Sequence, residues 1–281
     1  MLEFLPHLDR SLLASVLGIS RRYLYKKDFI QANKDKLLKE QIEEIWSSHP
    51  SKASYGYRRM AIELGMGKKR IRRCMKKYGL KPYKRKARWR KRQDEQRKPA
   101  AFQNEIKNQC PLVPNHTWAG DFTYLPFKGK FIYLATFLDL FTREIVGWQV
   151  SQRHDKTLIM QAFLDGLVNR DFQKPIYIHS DQGAEYTSQD YTDLVKQFGI
   201  QVSMSTKASP WENGYQESFY NNFKTDLGLE FDRFEDEGHF LETIHHTLYS
   251  YNHTRIHSAL KMPPAKFYAN YLHSECTKRD A

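Results

Sequence analysis

The chain has 281 residues, 40% hydrophobic and 14% aromatic, which allows a substantial core and two or three small domains and excludes a disordered chain. Its formal net charge of +13 is concentrated between Lys68 and Lys98, where 17 Lys and Arg stand against Asp94 and Glu95, while the remainder carries 28 basic and 30 acidic residues. That distribution describes a polyanion-binding arm on a near-neutral body.

Cys74, Cys110 and Cys276 are far apart with no CxxC pair, which argues against disulfides and a zinc ribbon and fits a reducing cytosol. No secretory leader is expected. The most apolar run, FIYLATFLDLF (131–141), is too short to span a bilayer and contains Asp139. The expected location is cytoplasmic and nucleoid-associated, without membrane contact.

LLASVLGISRRYLYKK (12–27) predicts a small helix-turn-helix, with Leu13, Val16 and Leu17 on one face, Gly18 at the turn and Ser20 capping the second helix. A helix over 33–48 follows, with Leu38, Ile42, Ile45 and Trp46 on one side, ending at His49-Pro50. YGYRRMAIELGMGKKRIRRCMKKYGLKP (55–82) reads as two helices, near Arg58–Leu64 and 68–78, joined at Gly65-Met66-Gly67. Ile71, Cys74, Met75 and Tyr78 have the i, i+3, i+4, i+7 spacing of an inner face. Lys68, Lys69, Arg70, Arg72, Arg73, Lys76 and Lys77 supply the charge, and DNA phosphate is the simplest partner for it. Residues 81–100 lack periodicity and read as a basic linker tracking the DNA backbone through Lys84, Arg85, Lys86 and Arg88.

From Asn115 onward the composition turns β-branched and aromatic. Segments 116–127, 130–141 and 143–151 predict an antiparallel meander, followed by a helix over 156–170, a strand over 175–181, a helix over 188–199, a strand over 200–205 and a helix beginning at Pro210. The order βββαβαβα is the layout of an RNase H-like α/β fold: a mixed five-stranded sheet with helices on both faces, here preceded by all-α helix-turn-helix regions. The expected division is 1–49 N-terminal helical region, 50–99 basic helix-turn-helix and linker, 110–229 catalytic core and 230–281 helical extension.

In SPWENGYQESFYNNFK (209–224), Ser209 suits an N-cap, Pro210 the first turn and Glu212 the capping-box position. Trp211, Tyr215, Phe219 and Phe223 recur every four residues as an apolar stripe. Glu217 lies on the other side with Asn213, Tyr220, Asn221 and Lys224. In the expected topology strands one and four are parallel neighbours, so Asp121 and Asp181 converge and Glu217 faces the same sheet edge. Three carboxylates at one point repel unless a cation sits among them. Oxygen ligands suit Mg²⁺ or Mn²⁺, and a pair of such ions suits phosphodiester displacement. Asp139 reads as a structural acid or a support for a metal ligand, and His179 as a residue ordering Asp181. His245, His246, His253 and His257 lack accompanying cysteines and read as core or DNA-contact residues rather than a zinc site.

These residues also carry a resemblance. The triad Asp121, Asp181 and Glu217, with 59 and 35 residues between successive members, resembles the DDE signature of retroviral integrases and insertion-sequence transposases. DFTYL (121–125), DLFTREIVGW (139–148), HSDQGAEY (179–186), SMSTKASPWENGYQESFYNNFK (203–224) and YNHTRIHSALKMPPAKF (251–267) are similar to the second-frame transposases of the IS3 group, as is the YGYRRM unit with its basic helix. The resemblance implies an integrase-type core, divalent-metal catalysis and double-stranded DNA as substrate, namely the element's terminal inverted repeats and target DNA. It implies that Lys224 contacts DNA beside the metals, and that strand transfer between the ends yields a circular intermediate. Pairing two ends implies a homo-oligomer on DNA, a dimer or larger, and the group implies an upstream-frame partner. Glu185 and Glu212 depart from the family's usual Gln and Asp. The alternatives are a non-catalytic DNA-binding regulator derived from a transposase, and a ribonuclease H. Intact acids argue against the first and the basic helix-turn-helix against the second. No Walker-type glycine loop is present, so no nucleotide cofactor is expected.

Overall fold

The computed structural model describes residues 9–16, 18, 27–85, 101–107, 111–206, 213–229 and 234–279. The chain forms two compact units: Met1–Ser48 with Gly56–Lys81, and His49–Tyr55 with Pro82–Ala281.

The first unit is helical: α1 (Arg10–Val16), α2 (Lys27–Ser48), α3 (Tyr57–Glu63) and α4 (Lys68–Lys77). Leu38 and Ile42 of α2, Met60 and Ala61 of α3, and Ile71, Cys74 and Met75 of α4 are buried. Ile45, Trp46 and Tyr78 are only half-buried. Helices α3 and α4 both end in Schellman geometry, with Met66 N donating to Ala61 O and Leu80 N to Met75 O. Gly65 (φ +60) and Gly79 (φ +65) hold the left-handed position this requires. Helix α2 begins six residues before the expected start. In α1, Val16 is 77% exposed and Ala14 is the buried side chain. At 100° per residue the two lie on roughly opposite sides of a two-turn helix, so burying Ala14 turns Val16 outward. The second helix expected before Lys27 falls at residues 19–26, outside the described residues.

The second unit contains β1 (Thr117–Phe127), β2 (Lys130–Asp139), β3 (Ile145–Ser151), α5 (Lys156–Asn169), β4 (Tyr177–Ser180), α6 (Gln189–Gln197), β5 (Gln201–Met204), α7 (Gly214–Leu227), α8 (Glu237–His253) and α9 (Pro264–Arg279). The sheet order is β3-β2-β1-β4-β5. β1 pairs antiparallel with β2 and parallel with β4, and β4 pairs parallel with β5. This is the mixed five-stranded RNase H-like sheet.

Two apolar layers sandwich it. Ala119, Leu125, Ile132, Leu134 and Leu138 pack under Phe219 and Phe223 of α7 and Phe240, Ile244 and Leu248 of α8. Trp118, Ala135, Phe137 and Val146 face Leu158, Ile159, Ala162 and Phe163 of α5. Strand β3 and helix α5 approach so closely that a Cβ on Gly147 would lie 2.2 Å from the Ala162 carbonyl oxygen. The segment 49–55 belongs to this unit. Tyr55 is buried with its hydroxyl accepting from Ile256 N (2.8 Å), and Ser54 Oγ donates to Asp226 Oδ1 (3.2 Å). Asp226 is itself paired with Arg255 at 2.5 Å, both side chains 2% exposed.

Asp139 is a structural acid. Fully buried at the end of β2, its Oδ1 accepts from Phe141 N (2.8 Å) and Thr142 N (2.9 Å), and its Oδ2 from Asn115 N (2.6 Å). It thereby closes the β2–β3 turn, where Arg143 has φ +61. Asp139→Asn replaces one accepting oxygen with a donor facing an N–H. Denaturant unfolding is expected to show a loss of about 1–3 kcal/mol, and an unchanged midpoint would remove this structural role.

Candidate active site

Asp121 lies on the central strand. The β1–β4 register pairs Ala119 with His179, so Asp121 and Asp181, each two residues further on, emerge at the same level past the C-terminal end of β4. Asp121 Oδ1 accepts from Phe122 N (2.8 Å), and Asp181 Oδ1 accepts from Gly183 N (3.0 Å). A Cβ at Gly183 would stand 3.1 Å from both Asp181 Oδ1 and Glu185 Oε2, so glycine leaves the two carboxylates room.

Glu217 sits in the first turn of α7. Its neighbours fix that helix to β1. Gln216 is fully buried; its Nε2 donates to Ala119 O (2.5 Å) and Thr136 O (3.2 Å), and its Oε1 accepts from Thr136 Oγ1 (3.2 Å). The Tyr220 hydroxyl donates to Asp121 O (2.7 Å) and lies 2.8 Å from Thr136 Oγ1. Two side chains flanking Glu217 thus grip β1 at Ala119 and at Asp121 itself.

These contacts correct the sequence-based helix faces. Tyr220, expected on the polar side, is buried, and Tyr215, expected in the apolar stripe, is 45% exposed beneath the Arg143 guanidinium, 3.8 Å from its ring centroid. A four-residue repeat drifts about 40° per step at 3.6 residues per turn. The buried face therefore follows Gln216, Phe219, Tyr220, Phe223 and Leu227. The i, i+3, i+4, i+7 spacing of Gln216 with the aromatics was the available signal. The expected cap at Ser209, Pro210 and Glu212, with Trp211, lies outside the described residues.

The three acids are electrostatic neighbours. Asp121 is pushed up to about 8, first by burial, then by the negative charge of Asp181, with Glu217 adding to it; the Phe122 N–H bond and Lys224 oppose the shift. Asp181 is also raised, by burial and by Glu185, against the Gly183 N–H bond. Among the described residues, no three His, Cys, Asp or Glu side chains lie close enough to hold one metal ion together. Asp121 has both other acids within electrostatic range, and the three do not form a closed cage. Their chemistry fits a hard divalent cation: oxygen donors only, with half-buried Asp121 carrying a penalty on its own charge that a cation would relieve.

Glu185 is turned to His154, whose Nδ1 lies 2.9 Å from Glu185 Oε1 while its ring stacks on Phe122. His179 Nδ1 lies 2.9 Å from Ser203 Oγ on β5, the residue directly opposite it in the parallel β4–β5 register. His245 lies edge-on to Trp148, His246 lies against His49, and His253 stacks on Tyr249.

Lys224, two turns after Glu217, is lowered to about 8 by burial and by the Arg85 charge, with Asp121 opposing. In the helical unit, Lys68, Lys69, Arg70, Arg72 and Lys76 are exposed, as is Lys84 in the second unit. Lys34, Lys69, Arg70 and Arg73 line a cavity of about 590 Å³, and Lys34 is a cation the sequence reading missed. Arg73 and Lys77 are committed in part: each lies 3.1 Å from a carboxylate oxygen of buried Asp35. Lys86 and Arg88 lie outside the described residues. No helix among the described residues is long and apolar enough to cross a membrane.

Residues 112–210 and 198–264 match Integrase core domain families, and residues 32–88 match an HTH-like domain. The transposase for insertion sequence element IS904 of Lactococcus lactis subsp. lactis is 30% identical over 256 residues, 88% of this chain and 99% of that protein. The putative transposase InsK for insertion sequence element IS150 of Escherichia coli K12 is 28% identical, covering 92% of each. Transposase InsF for insertion sequence IS3A of the same organism is 35% identical over 113 residues, 40% of this chain and 39% of its own length. A cryoEM structure of a simian T-cell lymphotropic virus intasome in complex with PP2A regulatory subunit B56 gamma shares the fold, with a TM-score of 0.51 and 17% identity over 78% of this chain and 74% of that one. With an HTH-like domain ahead of an integrase core and full-length transposase relatives, the chain belongs to the IS3 group of insertion-sequence DDE transposases.

Proposed function

We propose that this transposase nicks the ends of its element and joins the freed strand by phosphodiester chemistry at Asp121, Asp181 and Glu217. The observation that carries the proposal is the placement of the acids: the parallel β1–β4 register levels Asp121 with Asp181, and Gln216 and Tyr220 pin the Glu217 helix to the same stretch of β1.

The three carboxylates would hold Mg²⁺ or Mn²⁺, two ions in the full site, supplying activation of the attacking oxygen and charge stabilisation of the leaving one. The chain's own residues supply the rest. Asp121 and Asp181 offer oxygens from the rigid sheet, and Glu217 closes on them from α7. Lys224 and Arg85 receive the phosphates beside the scissile bond, where their mutual repulsion is relieved by an anion. In the first step a water oxygen attacks phosphorus, the P–O3′ bond breaks and the 3′ oxygen leaves as a hydroxyl. In the second that 3′-OH attacks another phosphodiester and displaces its 3′ oxygen, conserving the number of phosphodiester bonds.

Residues 50–99 would serve as the DNA arm, 110–229 as the catalytic core and 230–281 as its helical extension. The arm reads backbone charge through Lys68, Lys69, Arg70, Arg72, Lys76, Lys84, Lys86 and Arg88, with Arg73 and Lys77 shared with Asp35. Two ends imply at least two protomers on terminal-repeat and target DNA, and an upstream-frame product would be a further partner.

Mn²⁺-dependent nicking of terminal-repeat DNA is expected from the wild type and is expected to be lost, by about a thousandfold or more, in Asp181→Asn with DNA binding retained. A variant that still nicks removes the triad; a wild type that binds and does not nick supports a regulator instead. Replacing Lys69 and Arg72 with Ala is expected to weaken DNA binding and to flatten the slope of log K against log salt by about 0.9 per lost phosphate contact. An unaltered slope would take α4 off the DNA. Gln216→Leu leaves Ala119 O and Thr136 Oγ1 without the amide. It is expected to cost about 1–3 kcal/mol in denaturant unfolding and to slow nicking more than binding; wild-type turnover would show that the Gln216 grip does not position Glu217.

A further inference from the structure

Beyond the metal-binding acids, the sheet edge next to Asp121 carries an exposed aromatic pair. Tyr124 is three residues further along β1 and 47% exposed; Phe131 on β2 is 52% exposed. Their rings meet edge to face, 5.4 Å between centroids and 84° between planes. Lys224 Nζ stands 5.0 Å from the Tyr124 ring centroid. The same Lys224 lies within electrostatic reach of both Asp121 and Arg85, and Arg85 Nε is a buried donor without a hydrogen-bond partner.

A cross-strand aromatic contact by itself stabilises a hairpin by about 0.2–1 kcal/mol, and that accounts for the two rings touching. It does not account for a lysine set against the Tyr124 ring, beside a second cation and within electrostatic range of Asp121. Large exposed rings interleaved with cations are the makings of a single-strand nucleic-acid contact: bases stack on the rings and phosphates meet the cations. A protein partner would be served by the apolar rings and penalised by the adjoining like charges. A nucleotide satisfies both halves of the surface.

We propose that Tyr124 and Phe131 form a stacking platform for one unpaired base adjoining the scissile phosphodiester, with Lys224 and Arg85 holding the neighbouring phosphate. The inference rests on the reading that DNA is cut at Asp121. It adds that the enzyme unpairs the end of the duplex and stabilises the displaced base on β1 and β2, so that the reacting strand reaches the acids. Tyr124 is a positioning residue in this account.

The test uses the full chain and terminal-repeat duplexes in two forms, fully paired and with mismatches at the bases flanking the scissile bond. Tyr124→Ala is expected to nick paired ends about tenfold more slowly, the size of one lost base–aromatic stack, and mismatched ends within about twofold of wild type. Tyr124→Trp is expected to nick both like the wild type. A 5-iodouracil placed beside the scissile bond is expected to photocrosslink to the peptide containing Tyr124 in the wild type and in Asp181→Asn, which separates the platform from the chemistry. Equal slowing of Tyr124→Ala on both duplexes, or wild-type rates on paired ends, would overturn the proposal. A changed oligomeric state of Tyr124→Ala by sedimentation, with no distinction between duplexes, would overturn it in favour of a contact with a second copy. Failure of the wild type to nick either duplex would instead sink the active-site reading.

Discussion

The site depends on the crowding of negative charge around Asp121. A carboxylate half-buried on the central strand, beside Asp181 and Glu217 and pushed up to about 8, is a destabilising arrangement in the protein alone. The rest of the fold holds it in place. The parallel β1–β4 pairing ends at Ala119 and His179, two residues before Asp121 and Asp181. The buried amide of Gln216 and the hydroxyl of Tyr220 tie α7 to the backbone of β1 at Ala119 and Asp121. Each such bond contributes only about 1 kcal/mol net, yet leaving its buried partner unmet costs about 1–3 kcal/mol, so the helix is held in a definite register. The apolar layer of Phe219, Phe223, Phe240 and Ile244 supplies the bulk of the stabilisation that offsets the repulsion.

The lower half of α7 is held as firmly. Asp226 pairs with Arg255, Arg255 reaches Asn222 Oδ1 at 3.0 Å, and Ser54 bonds Asp226 from the 49–55 segment. The helix bearing Glu217 is therefore linked to a stretch of chain lying between α2 and α3. In the helical unit a similar economy operates on a smaller scale. Asp35, 2% exposed on α2, draws in Arg73 and Lys77 and so orients α4, while Lys69 and Arg70 line the cationic cavity with Lys34. Part of a basic helix's charge orients the helix itself, and the remainder is left for phosphate.

Much of this was legible in the sequence. Alternating β-branched and aromatic residues gave the meander, and the order βββαβαβα matched the RNase H-like layout, in which strands one and four are parallel neighbours, as β1 and β4 are. Three features were not legible, each for a physical reason. The spacing of Gln216 with Phe219, Tyr220 and Phe223 marks a buried face, but a local pattern does not reveal that Ala119 O and Asp121 O are the partners opposite. The pairing of Arg73 and Lys77 with Asp35 spans about forty residues, beyond any helical spacing rule. The role of Asp139 depends on three backbone N–H groups brought to it by a turn, one of them from Asn115 across the sheet. The Gln216, Tyr220 and Asp35 bonds, and the Asn115 bond to Asp139, join residues far apart in the chain, and composition and period carry no information about such partners.

Among the described residues, the acids do not yet meet around a common point, so the account requires that cation and DNA draw Glu217 onto Asp121 and Asp181. The most direct measurement is anomalous diffraction at the manganese edge from crystals of the chain bound to a terminal-repeat end and Mn²⁺. The account predicts manganese peaks within coordination distance of carboxylate oxygens from Asp121, Asp181 and Glu217 together. Manganese bound elsewhere, or a DNA-engaged site in which Glu217 stays away from the ions held by the two aspartates, would contradict it.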